Sequence, residues 1–477
     1  MGMGRTSLAI ALAGTLAACG GGGGGGNSGG SIGGGTAPTP TATTASCSLS
    51  ARQDFAKSVI DEWYLFPDLV NNSVNKANYS TVQAYIDALV APARAQAKDR
   101  YFTYITSIAD EEAFYGSGSS AGFGFRLSYD TGQNRVFVVE TFEGTSALAA
   151  GIDRGAEIIA IGTSSSNLQT VASLMQNGGA QAVVNALGPS SVGTTRVLRI
   201  SRAGVVSDIL LSKTEYSLDP VSDRYGARII DDGGKKVGYI NLRTFIDTAE
   251  SDLRDAIAGF KAQGVTEVIV DLRYNGGGLV RVSELFGDLL GADKVGKVFS
   301  YTTFRDSKAA NNSTRTFAAQ PQAIAATKIA FIGFSGTASA SELLANSFIP
   351  YLGANTALIG SNTYGKPVGQ IALDKPECDD RMRVVAFRTE NANHQGDYYT
   401  GLASVFPNTC AAPDDLTHQL GDPDEGAIKA ALDFLAGRAC SATTSAEGQR
   451  ALSVAPKREL IRPQDANTGE REAPGRF

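Results

Sequence analysis

A serine at the start of a helix is the part of this sequence that could do chemistry most directly. An apolar, β-rich run over residues 329–334 passes through a turn of small residues containing Ser339, then into helical spacing at Leu343, Leu344 and Phe348. Free backbone N–H groups and the positive end of the helix dipole favour developing negative charge there. The segment therefore predicts a nucleophilic serine and leaves open which group takes its proton.

A lysine is a better candidate base than either of the two histidines. His394 and His418 each lie in a polar segment, and a lone histidine in such a loop is usually solvent-exposed. Lys366 lies between two glycines, and burial would lower its pKa so that the neutral amine could act as general base. Gln370, four residues later, could orient that amine. Taken alone, Gly-Lys-Pro is typical of a surface turn.

A glycine turn supplies the third chemical element. Residues 265–270 predict a buried strand, and the strand leads into Asp-Leu-Arg-Tyr-Asn-Gly-Gly-Gly at 271–278. Three glycines let the backbone approach a ligand closely and point N–H groups at it. A Walker-type phosphate loop would continue with Gly-Lys-Ser/Thr, whereas Leu-Val-Arg follows here. An oxyanion donor is therefore the better hypothesis.

Three motifs, in this order along the chain, carry a family resemblance. The motifs are Asp-Leu-Arg-x-Asn-x-Gly-Gly, Gly-Thr-Ala-Ser-Ala-Ser-Glu and Gly-Lys-x-x-x-Gln. This combination resembles the carboxyl-terminal processing or tail-specific proteases, peptidase family S41. The resemblance implies that Ser339 is the nucleophile, Lys366 the general base and Gln370 its orienting partner. It also implies a catalytic domain with a crotonase-like spiral of βαβ units.

The same resemblance assigns five further residues. The backbone N–H groups of Ala340 and Gly277 would form the oxyanion hole. Asp271, Arg273 and Glu342 match residues that support the site without attacking the substrate.

The sequence departs from the family pattern beside the lysine. Pro367 stands where the family usually has glycine, and the 27 residues from Ser339 to Lys366 form a slightly long gap. Proline fixes its own φ and biases Lys366 toward extended backbone, which leaves the site geometry open.

Other serines fit less well. Ser341 would face away from Ser339 on a helix and is predicted to act as a local cap, and Ser335 precedes a glycine in a turn. Ser73 and Lys76 fit the Ser-x-x-Lys pattern of penicillin-binding enzymes. No Lys-Thr-Gly follows them, so we interpret that match as chance.

Length and charge limit the function further. The 477 residues allow two or three domains, and 42 basic against 48 acidic residues give a net charge of −6. This balance argues against a nucleic-acid surface. We expect no cofactor and no metal.

The N-terminus predicts export and lipid anchoring. Arg5 precedes an apolar stretch, Leu8–Ala18, and the sequence Leu-Ala-Ala before Cys19 resembles the bacterial lipobox, in which the cysteine is lipidated. An ordinary secretory signal is the alternative. Residues 1–18 are predicted to be the signal peptide. Residues 19–46, which are rich in Gly, Ser, Thr and Pro, are predicted to form a flexible tether. The predicted location is the bacterial cell envelope, on a membrane and facing the periplasm or the exterior.

Four cysteines remain after Cys19, and an even number in an oxidising compartment predicts two disulfides. Of three pairings we favour Cys378–Cys410 and Cys47–Cys440.

The rest of the chain predicts a multidomain α/β protein. The predicted units are a helical N-terminal domain at 47–112, a β-rich PDZ-like domain at 113–215, an α/β catalytic domain at 216–440 and a polar, disordered tail at 441–477.

The PDZ-like prediction depends on two segments. Ser146–Ile161 resembles the helix-turn-strand of PDZ domains, and Gly122, Phe123, Gly124 and Phe125 would form a carboxylate-binding loop. Such a domain adds the last strand of a peptide to its sheet edge. The alternative is a generic β-rich module.

Together these patterns predict an envelope-anchored serine endopeptidase that binds protein or peptide substrates by their C-terminal tails. Two alternatives stay open: a non-catalytic peptide-binding lipoprotein on the same fold, and an esterase that uses a histidine.

Overall fold

The structure is a computed structural model that describes residues 45–443, 445, 448, 452–453, 458–463 and 466–477. The described residues fall within one unit, Thr44–Phe477. Cys19, the signal segment and nearly all of the tether lie outside them, so those predictions stay predictions. None of the helices in the described ranges is long and apolar enough to cross a bilayer.

The elements have the following bounds. The α-helices in the described residues are Leu49–Trp63 (α1), Val82–Leu89 (α2), Ala91–Ala95 (α3), Ile108–Ser117 (α4), Ser146–Ala149 (α5), Val171–Leu187 (α6), Ala249–Ala262 (α7), Val280–Leu290 (α8), Ala340–Leu352 (α9), Gly426–Leu435 (α10) and Thr468–Glu472 (α11). The strands there are Tyr104–Ser107 (β1), Ser119–Gly122 (β2), Phe125–Asp130 (β3), Arg135–Thr141 (β4), Glu157–Gly162 (β5), Gln169–Thr170 (β6), Thr195–Arg202 (β7), Val205–Ser212 (β8), Thr214–Ser217 (β9), Ala227–Asp232 (β10), Lys235–Asn241 (β11), Glu267–Asp271 (β12), Val298–Phe304 (β13), Ser313–Thr316 (β14), Lys328–Gly333 (β15), Thr356–Gly360 (β16), Val368–Lys375 (β17), Asp380–Glu390 (β18), Thr409–Ala411 (β19) and Arg458–Glu459 (β20).

A six-stranded sheet carries the candidate site. Its order is β10-β11-β12-β15-β16-β19, parallel from β11 to β19, with β10 antiparallel at one edge. One face packs on α7, α8 and α9, and the other packs on α10. Burial on both faces explains the continuous apolar runs of these strands. The strands predicted at 265–270 and 329–334 are confirmed as β12 and β15, each within two residues at either end.

A seven-stranded antiparallel sheet forms the β-rich part. Its order is β20-β3-β4-β5-β7-β8, with β6 paired to β5, and α6 covers its apolar face. The predicted helix-turn-strand is present as α5 and β5. The chain is thus a multidomain α/β protein with mixed sheets, while the PDZ-like and crotonase-like assignments stay predictions.

The N-terminal helices share their core with strands from far along the chain. Ile60 and Leu89 pack in one cluster with Val384 and Val385 of β18, and β1 pairs with β18. β18 also pairs with β13 and β17, which completes a five-stranded sheet with β14. The helical N-terminal segment therefore shares its core with strands from the segment predicted as the catalytic domain.

The predicted disulfide pairing is wrong, although two disulfides are present. They join Cys47 to Cys378 and Cys410 to Cys440, with Cα–Cα distances of 5.4 and 5.5 Å. Cys378 lies at the tip of the β17–β18 hairpin, which reaches the residues before α1. Cys410 lies in β19, and the chain returns beside it after α10, where the Ala411 N–H donates to the carbonyl of residue 441.

The prediction of a disordered tail is wrong for the tail residues that the structure describes. They form β20 and α11, and Phe477 is only 2% exposed. The guanidinium group of Arg471 lies 4.1 Å from the Tyr104 ring centroid, and that of Arg476 lies 5.1 Å from the Phe114 ring centroid. These contacts could not be predicted from the polar composition of the tail, because the aromatic partners are more than 300 residues away in the chain.

Candidate active site

Ser339 lies where strand β15 turns into helix α9. The strand ends at Gly333 and the helix begins at Ala340, so Ser339 immediately precedes the helix. Its backbone has φ 58° and ψ −116°, a conformation that residues other than glycine rarely adopt and that costs on the order of 1–3 kcal/mol. Such strain persists only where the surrounding structure enforces it.

This strain predicts an unusual order of stabilities. We expect the free energy of unfolding of Ser339→Gly to be about 1 kcal/mol higher than that of Ser339→Ala. Glycine adopts positive φ without strain, and this gain outweighs the cost of its larger conformational entropy in the unfolded state. Urea unfolding of both variants measures the difference. Ser347, inside α9, is the control: there glycine should be about 1 kcal/mol less stable than alanine. If the alanine variant were the more stable one at both positions, the result would contradict backbone strain at Ser339.

The carboxylate of Glu342 joins the Ser339 turn to the lysine loop. Glu342 is fully buried. Its Oε2 accepts from the backbone N of Ser339 at 3.0 Å and of Lys366 at 2.7 Å. Its Oε1 accepts from the Gly365 N at 2.7 Å and the Thr363 hydroxyl at 2.6 Å. Burial raises the pKa of Glu342, and these four donors oppose the rise. Because one oxygen holds both nitrogens, the backbones of Ser339 and Lys366 lie side by side.

Lys366 is buried and held by Gln370. Only 7% of Lys366 is exposed, and its Nζ donates to the Gln370 Oε1 at 2.8 Å. The Gln370 Nε2 donates in turn to the carbonyl of Phe102, whose ring centroid lies 4.9 Å from the Lys366 Nζ. Burial lowers the pKa of the Lys366 ammonium group below its ordinary value. Burial therefore shifts Lys366 toward the neutral amine, the form that a general base requires.

Pro367 is accommodated at the start of β17. The sharp bend of the loop falls on Gly365, which has φ 87°. The Pro367 carbonyl accepts from the Thr389 N at 3.0 Å, which joins it to the neighbouring strand β18. With the proline in this place, the Lys366 side chain still reaches Gln370.

The glycine turn lies directly against the serine turn. The Ala338 N donates to the Asn275 carbonyl at 3.1 Å. A Cβ on Gly277 would lie 2.8 Å from the Ser339 Cβ and 3.2 Å from the Ala340 N, so a side chain there would collide with the serine. The Gly277 N donates to the Asn275 Oδ1 at 2.9 Å. The other predicted oxyanion donor, the Ala340 N–H, has no hydrogen-bond partner among the residues described.

Asp271 and Arg273 belong to a buried ion network beneath the site. The Arg273 Nε donates to Asp271 at 2.9 Å, and its two terminal nitrogens bind Glu425 at 2.7 and 2.8 Å. Glu425 also accepts from the backbone N–H groups of Ala427 and Ile428 at the start of α10. Glu425 is not among the residues predicted from the sequence. Its local signal is an acidic residue before a helix, and its partner Arg273 is 152 residues away.

Tyr274, within the glycine turn, is held by arginines of the β-rich part. The Arg154 Nη1 donates to the Tyr274 hydroxyl at 2.9 Å, and that hydroxyl donates to Asp414 at 2.6 Å. Arg126, in β3, donates to the Tyr274 carbonyl. The seven-stranded sheet therefore contacts the glycine turn directly.

The predicted tail-binding loop contacts the last residue of the sequence. The Phe477 O accepts from the backbone N of Gly124 at 3.0 Å and of Phe125 at 3.3 Å, and the Phe477 N donates to the Phe125 O at 3.0 Å. A Cβ on Gly122 would lie 2.8 Å from the Phe477 carbonyl carbon. The Phe477 side chain packs in a cluster that includes Phe123. This edge of β3 thus pairs with an extended segment in the manner of strand addition.

A cavity of about 850 Å³ lies beside these elements. Lys366, Tyr274 and Gly276 line one part of it, and the tail residues Arg471 and Glu472 line another. The volume is within the range of small-molecule and cofactor pockets.

The histidines have other partners. His394 stacks on Tyr301 with ring centroids 4.3 Å apart, and the His418 Nδ1 lies 2.7 Å from Asp415. Both side chains are more than 40% exposed. These contacts give no support to the histidine-dependent esterase.

Comparisons with known proteins show that part of the chain is similar to a described family. Residues 236–396 match the model of peptidase family S41. The chain is 24% identical over 325 residues to a carboxyl-terminal-processing protease of a Picosynechococcus species, covering 67% of this chain and 71% of that protein. It is 29% identical over 268 residues to the carboxy-terminal processing protease CtpA of Bacillus subtilis, covering 56% of this chain and 51% of that protein. A crystal structure of a proposed S41 protease from Bacteroides fragilis superimposes with a TM-score of 0.60 at 23% identity, over 80% of this chain and 97% of that chain, which shows a shared fold.

Proposed function

Because residues 236–396 are a peptidase family S41 domain and the chain is homologous to carboxyl-terminal processing proteases, we propose that it is a serine endopeptidase using Ser339 and Lys366. The observation that carries the proposal is the Glu342 carboxylate. One of its oxygens accepts from the backbone nitrogens of both residues, so the strained serine and the buried lysine belong to one unit.

The proposed reaction begins with the serine hydroxyl. The Ser339 Oγ attacks the scissile carbonyl carbon while the neutral Lys366 Nζ takes its proton. Collapse of the tetrahedral intermediate breaks the C–N bond, and Lys366 returns the proton to the leaving amine. Water then attacks the acyl-enzyme ester, with Lys366 accepting the proton of the water and returning it to Ser339. Gln370 orients the amine throughout, supported by its 2.8 Å contact with the Nζ.

The oxyanion would form at the helix start. We assign its stabilisation to the backbone N–H groups of Ala340 and Gly277, which belong to adjoining turns. The Gly277 N–H must then share or leave the Asn275 Oδ1 that it binds in this structure.

Substrate selection is assigned to the β3 edge. Backbone N–H groups at Gly124 and Phe125 would bind the last residue of a substrate tail, and the chain upstream would lead toward Ser339. A lipidated Cys19 would hold the enzyme on a membrane of the cell envelope.

Labelling by an alkyl fluorophosphonate tests the proposal, because this probe forms a bond from phosphorus to an activated serine oxygen with loss of fluoride. We expect one label per chain, located by mass spectrometry on Ser339, absent from Ser339→Ala and strongly reduced in Lys366→Ala. Ser335→Ala, an exposed serine of the same turn, is the matched control and should label normally. His418→Ala should also label normally.

Two outcomes would contradict the proposal. A protein that neither labels nor cleaves an unstructured protein such as casein would instead be a peptide-binding protein. Loss of label in His418→Ala or His394→Ala, with Lys366→Ala unaffected, would indicate a histidine base.

A further inference from the structure

We propose that the tail segment 471–477 of this chain occupies its own substrate groove and catalytic cleft, and so holds the protease in an autoinhibited state. The inference rests on the proposed function of the site. It adds an occupant for the groove, a preference of that groove for phenylalanine at the position that Phe477 fills, and a mode of regulation.

The backbone of the tail fills the edge of β3. Besides the two N–H groups that bind the Phe477 O, the Leu127 N donates to the Gly475 O at 2.7 Å. Arg476 and Arg126 form an antiparallel bridge between these contacts. A substrate tail that added a strand here would need the same donors, so it must first displace this segment.

The side chain of Phe477 fills an apolar pocket. It is 2% exposed and packs in the core cluster of the seven-stranded sheet, with Phe123, Phe125 and Leu187 among its members. Burial of the phenylalanine side chain removes apolar surface from water and so favours the bound tail. A pocket of this kind selects a bulky apolar final residue and rejects a charged one.

Upstream, the tail closes on the catalytic cleft. The Gly276 N, in the glycine turn, donates to the Glu472 O at 2.9 Å. A Cβ on Gly276 would lie 2.8 Å from that oxygen and 2.9 Å from the Arg471 O, so the tail backbone lies flush against the turn. Ala473 is fully buried, which shows that the contact is closed to solvent.

Glu472 also acts on the candidate base. Its carboxylate favours the charged ammonium form of Lys366 and so opposes the lowering of the lysine pKa by burial. Release of the tail would clear the cleft and remove one charge that favours the ammonium form of Lys366.

The geometry fits an inhibitor better than a substrate. Residues 468–472 are helical as α11, whereas a protease substrate is bound extended. The Glu472 carbonyl is bound by Gly276, and the neighbouring Gly277 N–H remains on Asn275. No carbonyl of the described tail is hydrogen-bonded to both assigned oxyanion donors.

A binding experiment tests the occupancy without any catalysis. A fluorescent peptide with the sequence of residues 466–477 is titrated by anisotropy into Ser339→Ala and into Ser339→Ala/Phe477→Asp. We expect the second protein to bind at least about tenfold more tightly, because a tethered tail competes at roughly millimolar effective concentration. Val206→Asp, at an exposed position of the same sheet, is the matched control and should leave binding unchanged. The milder Phe477→Ala should shift binding in the same direction if Phe477→Asp fails to fold.

Equal binding by both proteins, or no binding by the Phe477→Asp protein, would overturn the inference. A peptide ending in aspartate should not bind either. Tight binding of the peptide that ends in aspartate would contradict the proposed preference for phenylalanine.

Labelling with intact Ser339 separates this inference from the proposed function. Phe477→Asp should react with the fluorophosphonate at least about tenfold faster than the unchanged chain. Equal rates, with the label lost in Ser339→Ala, would overturn autoinhibition and leave the protease intact. Intact mass is measured in parallel: tail residues lost from the unchanged chain but kept in Ser339→Ala would make the segment a substrate and overturn the inference.

Discussion

Replacing Lys366 by alanine should lower kcat/KM for a peptide substrate by about 10²–10⁴-fold, the contribution typical of a general base. The physical reason is the buried Nζ held by Gln370, which no neighbouring group replaces among the residues described. Initial rates on a fluorogenic peptide measure the effect. The double variant Ser339→Ala/Lys366→Ala should be no slower than Ser339→Ala alone, because residues that act as a unit are not additive.

The pH dependence of the same reaction has a definite sign. Only the neutral amine accepts a proton, so kcat/KM should rise with pH through a pKa below the ordinary lysine value of about 10.4. Burial lowers that pKa, Arg462 and Arg383 lower it further, and Glu472 and Asp99 oppose them. Since the folded-state pKa is lowered, unfolding takes up a proton between that pKa and about 10.4. The lysine's contribution to the free energy of unfolding therefore rises with pH through this window.

Lys366→Arg is the matched control, because it keeps the charge while a guanidinium stays protonated at every accessible pH. We expect it to be as inactive as the alanine variant. A rate within tenfold of the unchanged protein in either variant would remove Lys366 from the role of base.

The second large effect is expected at Glu342. Glu342→Gln should lower kcat/KM by about 100-fold and the free energy of unfolding by about 2–4 kcal/mol. An amide has one acceptor oxygen for the four donors that now bind the carboxylate, so two of them would face an NH₂ group. The turn and the lysine loop would then lose their shared anchor. Urea unfolding and steady-state kinetics measure the two losses.

Glu377→Gln provides the comparison, because Glu377 is an exposed carboxylate whose removal should change stability by less than about 0.5 kcal/mol. Misalignment of Ser339 and Lys366 must be distinguished from loss of folded protein. Kinetics are therefore measured well below the unfolding temperature, together with the fluorophosphonate labelling rate of Ser339. A Glu342→Gln protein that is less stable but labels normally would show that the carboxylate stabilises the fold without aligning the dyad.

Local pattern was enough to predict the elements that position the site. The strand before Ser339, the helix after it and the strand before the glycine turn follow from apolar runs and small-residue turns, which depend on neighbours in the chain. The motifs selected Ser339, Lys366 and Glu342 for the same reason.

What the sequence could not supply depends on contacts between distant residues. The disulfide pairing was predicted wrongly because it depends on where the β17–β18 hairpin ends in space, and no local pattern encodes that position. Glu425 was missed because its partner Arg273 lies on another element. The tail was predicted to be disordered because it is polar and contains three prolines, whereas here Arg471 and Arg476 stack on aromatic rings.

Arg126 has a consequence for how this protein can change. Its backbone lies in β3, next to the residues that bind the tail, and its guanidinium group donates to the Tyr274 carbonyl in the glycine turn. One side chain thus ties the seven-stranded sheet to the glycine turn. The two parts are therefore not interchangeable modules: a chimera that received its β-rich part from a distant relative would inherit a new tail preference and lose a support of its active site. Exchange of specificity should succeed only when the incoming sheet keeps an arginine at position 126, because the carbonyl that it binds belongs to the backbone at position 274.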